Sequence, residues 1–296
     1  MDMRNFILGT DWWTDCDDCV AMRLLLRAHK RGEIRLLGVA INACMEYSVA
    51  SVDGFMQQEG VTGIPLGIDL EATDYGRNPP YQKRLAGSAV DYLCNDDAED
   101  AVRLYRRLLA EAQEPVEILE IGFHQVTGAL LESRGDNISP LTGVELVRQK
   151  VKKFWVMAGK WDEDGGKEYN FCNTRRTSDG AAVFCDKCPV PVTFLGWEVG
   201  HHVITGGKLA EDDFLHLALK DHGSENGRHS WDPMLVMLAL IGDEAQAGYS
   251  VVRGKASLDA ETGANYFAES AEGLHAYVVK TEPNSFYEDM INNAIQ

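Results

Sequence analysis

The chain reads as an α/β protein with an open, mostly parallel central sheet and helices on both faces. Three observations predict this. Short apolar runs alternate with amphipathic stretches from one end of the 296 residues to the other, the order that places a helix after each strand. No shift in composition marks a linker and no repeat recurs, so one domain over 1–296 is expected. Asp11, Asn42, Gly122, Gly159 and Gly196 all fall just after apolar runs, and open α/β sheets collect ligands at the carboxyl ends of their strands.

Taken in order, residues 6–10 form a buried strand. Residues 17–30 follow as a helix, with Val20, Met22, Leu24, Leu25 and Leu26 apolar and two acids in the first turn, where the helix dipole favours them. Residues 34–42 are the next strand (Leu36, Leu37, Val39, Ile41), 47–58 a helix, and 63–67 the start of a third, short strand. Residues 71–82, rich in Gly, Pro, Asn and charge, read as a long loop, and such loops in compact domains tend to serve an active site. A helix over 101–112, a strand over 116–121 and a helix from 125 come next. The segments 154–158 and 192–195 are strands, each followed by glycine. Helices over 214–220 and 233–240, a late strand over 276–280 and a closing helix over 287–295 complete the chain.

Charge narrows the partners. With 28 basic against 46 acidic residues the formal charge is −18, a field that repels nucleic-acid backbones and polyphosphates and suits neutral or cationic small molecules. No apolar run reaches the ~18 residues of a membrane span, and Phe6, Ile7 and Leu8 before Gly9 are too few for a signal-peptide core. No membrane partner and a cytoplasmic location are therefore expected. Seven cysteines include the pairs Cys16/Cys19 and Cys185/Cys188, but no further thiolates or spaced histidines complete a zinc site. Asp17 and Asp18 between the first pair oppose thiolate formation, which leaves free thiols in a reducing compartment as the reading.

The densest chemistry lies after the first strand, where Asp11, Asp15, Asp17 and Asp18 fall within eight residues. Carboxylates at close range raise one another's pKa, and a hard cation with oxygen ligands removes that penalty. Asp11 leaves a strand end while Asp17 and Asp18 open a helix, so their carboxylates can converge: some hold a metal and one takes a proton from water. An EF-hand is excluded, because positions six and twelve counted from Asp11 are Cys16 and Met22. Asp15 and Asp17 have the spacing of a phosphatase Asp-x-Asp, but no basic residue follows before Arg23. Trp12 and Trp13 are placed either to wall a pocket or to pack beneath a loop.

A strand followed by Asp11, Asp15, Asp17 and Asp18 opening a helix resembles the inosine-uridine-preferring nucleoside hydrolase family. Two further blocks carry the likeness: Gly227 to Pro233, with Asp232 opening a helix, and Glu168-Tyr169-Asn170. The resemblance implies calcium held by Asp11, Asp18, Asp232 and the main-chain carbonyl of Gln125, with Asp15 a further acid in a longer turn. It implies Asp11 as general base and Asp17, Asn42, Glu168 and Asn170 as ribose ligands, with Met157 lining the pocket. The implied activity is calcium-dependent hydrolysis of the N-glycosidic bond of small-molecule ribonucleosides by a homodimer or homotetramer. The chain departs from the family at Gly9, where an acid is usual, at Gln125-Val126, and at Trp231, where the leaving-group acid is usually His. His229 is the nearest substitute and His222 a second, and Trp231 is placed either to stack on the base or simply to pack. The alternatives are a non-catalytic metal-dependent riboside- or sugar-binding protein, and a metal-dependent phosphatase.

Overall fold

The computed structural model describes residues 3–296. Its strands are β1 (Arg4–Thr10), β2 (Ile34–Ile41), β3 (Leu66–Ile68), β4 (Glu99–Asp100), β5 (Val116–Glu120), β6 (Val151–Met157), β7 (Val192–Leu195), β8 (Ile204–Thr205), β9 (Arg228–His229), β10 (Tyr249–Asp259), β11 (Ala264–Glu269) and β12 (His275–Lys280). Ten of them form one sheet in the order β11-β10-β12-β7-β6-β5-β1-β2-β3-β4, and β8 pairs with β9 apart from it. Pairing is parallel from β12 through to β4, while β10 runs antiparallel to both of its neighbours. The expected open, mostly parallel sheet with helices around it is what forms.

β1 lies inside the sheet, between β2 and β5, and its alternation divides the apolar interior. Phe6 and Leu8 pack on one face with the helices Asp17–Lys30 and Trp231–Ile241. Ile7 packs on the other, with the helices Ala101–Glu111, Gln125–Glu132 and Arg175–Lys187. The last two cross closely: a Cβ on Gly128 would stand 2.6 Å from the Cα of Gly180, so only glycine allows the approach.

Three features depart from the sequence expectation. Part of the 71–82 segment is helical, because Pro80 starts the helix Pro80–Ala86 at a position that needs no N–H donor. The helices Gly143–Lys150 and Arg175–Lys187 were not anticipated, although Thr142 and Thr174 cap them. The hairpin of β10 and β11 was also missed. Its strands are only partly buried, so no apolar run betrays them.

Candidate active site

The loop leaving β1 is shaped by Trp12. This residue has φ 48°, an unfavourable region for a bulky side chain. Packing offsets the strain: the indole is fully buried against Phe55 and Tyr81, its Nε1 donates to Ser51 Oγ at 2.9 Å, and its carbonyl accepts from Gln82 Nε2 at 2.6 Å. Trp12 is thus a packing residue, whereas Trp13 faces a cavity. Asp11 is fixed beside it, its Oδ1 accepting from the Trp13 N–H at 3.0 Å.

Asp17, Asp18 and Asp232 converge. All three are buried, and each offers a carboxylate oxygen within 4.8 Å of the others. Asp17 Oδ2 accepts from the Asp232 N–H at 3.0 Å, which ties the start of one helix to the start of another. Asp18 Oδ1 accepts from Thr10 Oγ1 and, at 3.3 Å, from the Trp12 N–H. Burial pushes all three carboxyls well above the usual range, and neighbouring aspartates push them further. Asp11 is raised to about 8, by burial first and then by Asp17 and Asp15 against a hydrogen bond that lowers it. Three buried carboxylates with no cationic partner among them are a poor arrangement by themselves and a suitable one for a hard divalent cation, which takes oxygen donors. The donor set therefore fits a metal. The triad differs from the set implied by resemblance in having Asp17 where Asp11 was expected.

These groups open onto a cavity of about 270 Å³. The segment after β1 supplies one wall through Asp11, Trp13, Asp15, Asp17 and Asp18; Ile121 and Phe123 follow β5 and Met157 ends β6; and Glu168 to Asn170, Trp197, Arg228, Trp231 and Asp232 close the rest. Glu168 Oε1 accepts from Asn170 N at 2.9 Å and Oε2 from Gly159 N at 3.1 Å, and burial raises the carboxyl to about 7. Asn170 donates Nδ2 to the carbonyls of Ile121 (3.1 Å) and Met157 (2.9 Å), which leaves its Oδ1 as the group for a ligand.

Not every expected residue reaches this cavity. Asn42 is fully buried beneath it, accepting from Phe123 N at 2.9 Å and donating to Glu120 Oε1 at 2.9 Å. It ties β2 to β5 and is not placed to hold a sugar. The Gln125 side chain turns away, donating to the Asn42 carbonyl at 2.5 Å and facing Asp69 and Arg176 on the far side, an orientation that bears on the side chain and not on the main-chain carbonyl expected at the metal. His229 packs beside both His201 and Trp231, at ring separations of 4.9 and 5.3 Å, and does not line the cavity. Desolvation, then the Arg228 charge, lowers its pKa and keeps it neutral. Trp231 does line the cavity, but its Nε1 is committed to the Trp197 carbonyl at 2.7 Å. Asp15 lies at the wall outside the triad, held by Arg228 Nε at 2.7 Å and Nη2 at 2.6 Å.

Sequence reasoning missed Arg228, Trp197 and Tyr169 in the lining. It also missed Glu120. Gly9 and Glu120 are direct partners in the β1–β5 register, and a Cβ on Gly9 would stand 2.2 Å from Glu120 Oε2. The carboxyl of Glu120 thus fills the space a side chain at position 9 would take. It is fully buried, accepts from Tyr105 Oη at 3.2 Å as well as from Asn42, and is raised by burial to about 8.

No family model matches the chain, and no curated protein matches it. Solved structures do. An inosine-uridine preferring nucleoside hydrolase from Bacillus anthracis superposes with a TM-score of 0.70 at 16% identity, over 99% of each chain. The type III effector protein XopQ, in complex with adenosine diphosphate ribose, gives 0.71 at 13% identity over 100% of this chain and 94% of the other. The effector protein XOO4466 gives 0.68 at 13% over 100% and 95%. At these identities the shared property is the fold, which is that of the nucleoside hydrolases.

Proposed function

We propose that this chain uses the nucleoside-hydrolase fold to hydrolyse the N-glycosidic bond of ribosides, with calcium as cofactor. The observation that carries the reading is the buried triad of Asp17, Asp18 and Asp232 opening, beside Asp11, into a cavity that also holds Glu168 and Asn170. Asp17, Asp18 and Asp232 hold the cation. When bound, the cation supplies the charge that lets these carboxylates ionise together and makes a nearby water more acidic. Asp11 accepts the proton of the water that attacks the anomeric carbon. Glu168 and the Oδ1 of Asn170 accept from ribose hydroxyls and fix the ring. As the C–N bond lengthens, positive charge grows on the sugar, and the carboxylates around it favour that state over the neutral ground state.

The bound ligand of XopQ belongs to that protein. A diphosphate has little to hold it here, since Arg228 is the only cationic side chain among the described residues lining the cavity and Asp15 pairs with it twice. The same argument disfavours a phosphatase. The test is ribose release from inosine, uridine, adenosine and an activated aryl riboside, with calcium and after chelation. Asp11→Asn is expected to lower kcat by about 10²–10⁴-fold while calorimetric calcium binding persists. Absence of ribose from every riboside, with calcium bound, overturns the hydrolase reading in favour of a binding protein.

A further inference from the structure

Resting on the hydrolase reading, we propose that the preferred substrate is an N-riboside whose base already carries a positive charge, an N-ribosylpyridinium, in place of a neutral purine or pyrimidine riboside. The argument begins with protons. A neutral base leaves as an anion unless an acid protonates it, and the cavity holds no aimed acid. No histidine is among the described residues that line it. His201 and His229 stack behind Trp231, and His222 is engaged at both ring nitrogens, by Ser224 Oγ and the Thr14 carbonyl, each within 2.9 Å.

The remaining donors are also committed. The indole N–H of Trp231 bonds to the Trp197 carbonyl and that of Trp13 to the Arg77 carbonyl at 3.2 Å. Arg228 points two donors at Asp15, and a guanidinium does not give up its proton near neutral pH. Glu168 is held at both oxygens by the Asn170 and Gly159 N–H groups, which fixes it for the ribose role proposed for it. Tyr169, although part of the lining, is 72% exposed.

The rest of the cavity suits a cation. Asp11, Asp15, Asp17, Asp18, Glu168 and Asp232 line it against the single guanidinium of Arg228. The chain as a whole carries −18, so the surrounding field also draws cations inward. Trp13, Trp197 and Trp231 add aromatic surface to the wall, and an indole face attracts a flat cation by about 0.5–2 kcal/mol.

The reaction balances without an acid. The water oxygen bonds to the anomeric carbon, and its proton passes to Asp11 and then to solvent. The C–N bond breaks, and its electron pair cancels the positive charge on the ring nitrogen. A neutral base and ribose leave.

The experiment compares kcat/KM of the calcium-loaded protein for N-ribosylnicotinamide, inosine, uridine and p-nitrophenyl riboside. The last is neutral but departs as a stable phenolate that needs no proton. The expected result is cleavage of the pyridinium and aryl ribosides, with the pyridinium exceeding inosine and uridine by at least about 10²-fold, the worth of an absent general acid. Its kcat/KM also falls with added salt while that for inosine does not. Equal rates with inosine overturn the proposal. So does cleavage of the aryl riboside without the pyridinium, an outcome that leaves the hydrolase reading standing. If neither is cleaved with calcium bound, the hydrolase reading itself fails and takes this proposal with it.

Discussion

Glu120 has no cation beside it, and its buried carboxyl is held up at about 8 by desolvation against hydrogen bonds from Gly122, Tyr105 and Asn42. The folded state therefore keeps a proton that the unfolded chain gives up near 4.5. Between those two values the folded state binds more protons, so stability falls as pH rises, by at most ~1.4 kcal/mol per pH unit for this one group. Stability from this source is complete below the unfolded value and is lost by the time pH passes the folded one. Glu120→Gln keeps the shape and removes the proton. Its stability, followed by urea unfolding from pH 4.5 to 8, is expected to decline less steeply than that of the parent. An identical slope in the two proteins would mean that Glu120 is ionised throughout.

At the scale of elements, the register of β1 against β5 makes Gly9 and Glu120 one unit. Gly9→Ala drives a methyl into the Glu120 carboxyl and is expected to cost about 1–3 kcal/mol, the usual range for overpacking. In a Glu120→Ala background the space is free, so the same change should cost distinctly less. A double-mutant cycle read by chemical denaturation measures that coupling; strict additivity would deny the contact. This pair also shows where sequence legibility stops. The helix Asp17–Lys30 and strand β7 were readable, because first-turn acids and apolar spacing are local signals. That Asp17 and Asp18 lie together was readable because a strand-to-helix junction places them; Asp232 beside them followed only from the resemblance, which had set Asp17 on the sugar and Asp11 on the metal. The place of Glu120 depends on which residue sits opposite it one strand away, and no spacing along the chain encodes that. Asn42 failed for the related reason that its amide is consumed by Phe123 and Glu120. Arg228 was passed over because its partner Asp15 lies 213 residues earlier.

For the whole molecule, the proposed calcium site at the buried triad predicts a link between the ion and stability. An ion that binds only the folded form at a hundred times its dissociation constant adds about 2.7 kcal/mol. Thermal melts with calcium and with chelator are expected to differ accordingly, and Asp232→Asn should abolish most of the difference. The gain should grow with pH, because the cation competes with protons for carboxyls that burial holds above their usual range. A calcium-independent melting temperature would sink the assignment of the triad.

The bond from the Asp232 amide to Asp17 spans 215 positions of sequence. A ribosome that has emitted the first two acids has yet to make the third, and the strands β10 to β12, which complete one side of the sheet, come later still. A nascent chain thus carries its opening carboxylates through most of synthesis as ordinary solvated acids. On the calcium reading proposed above, capture of the ion is then a late event, and calcium occupancy reports a finished chain.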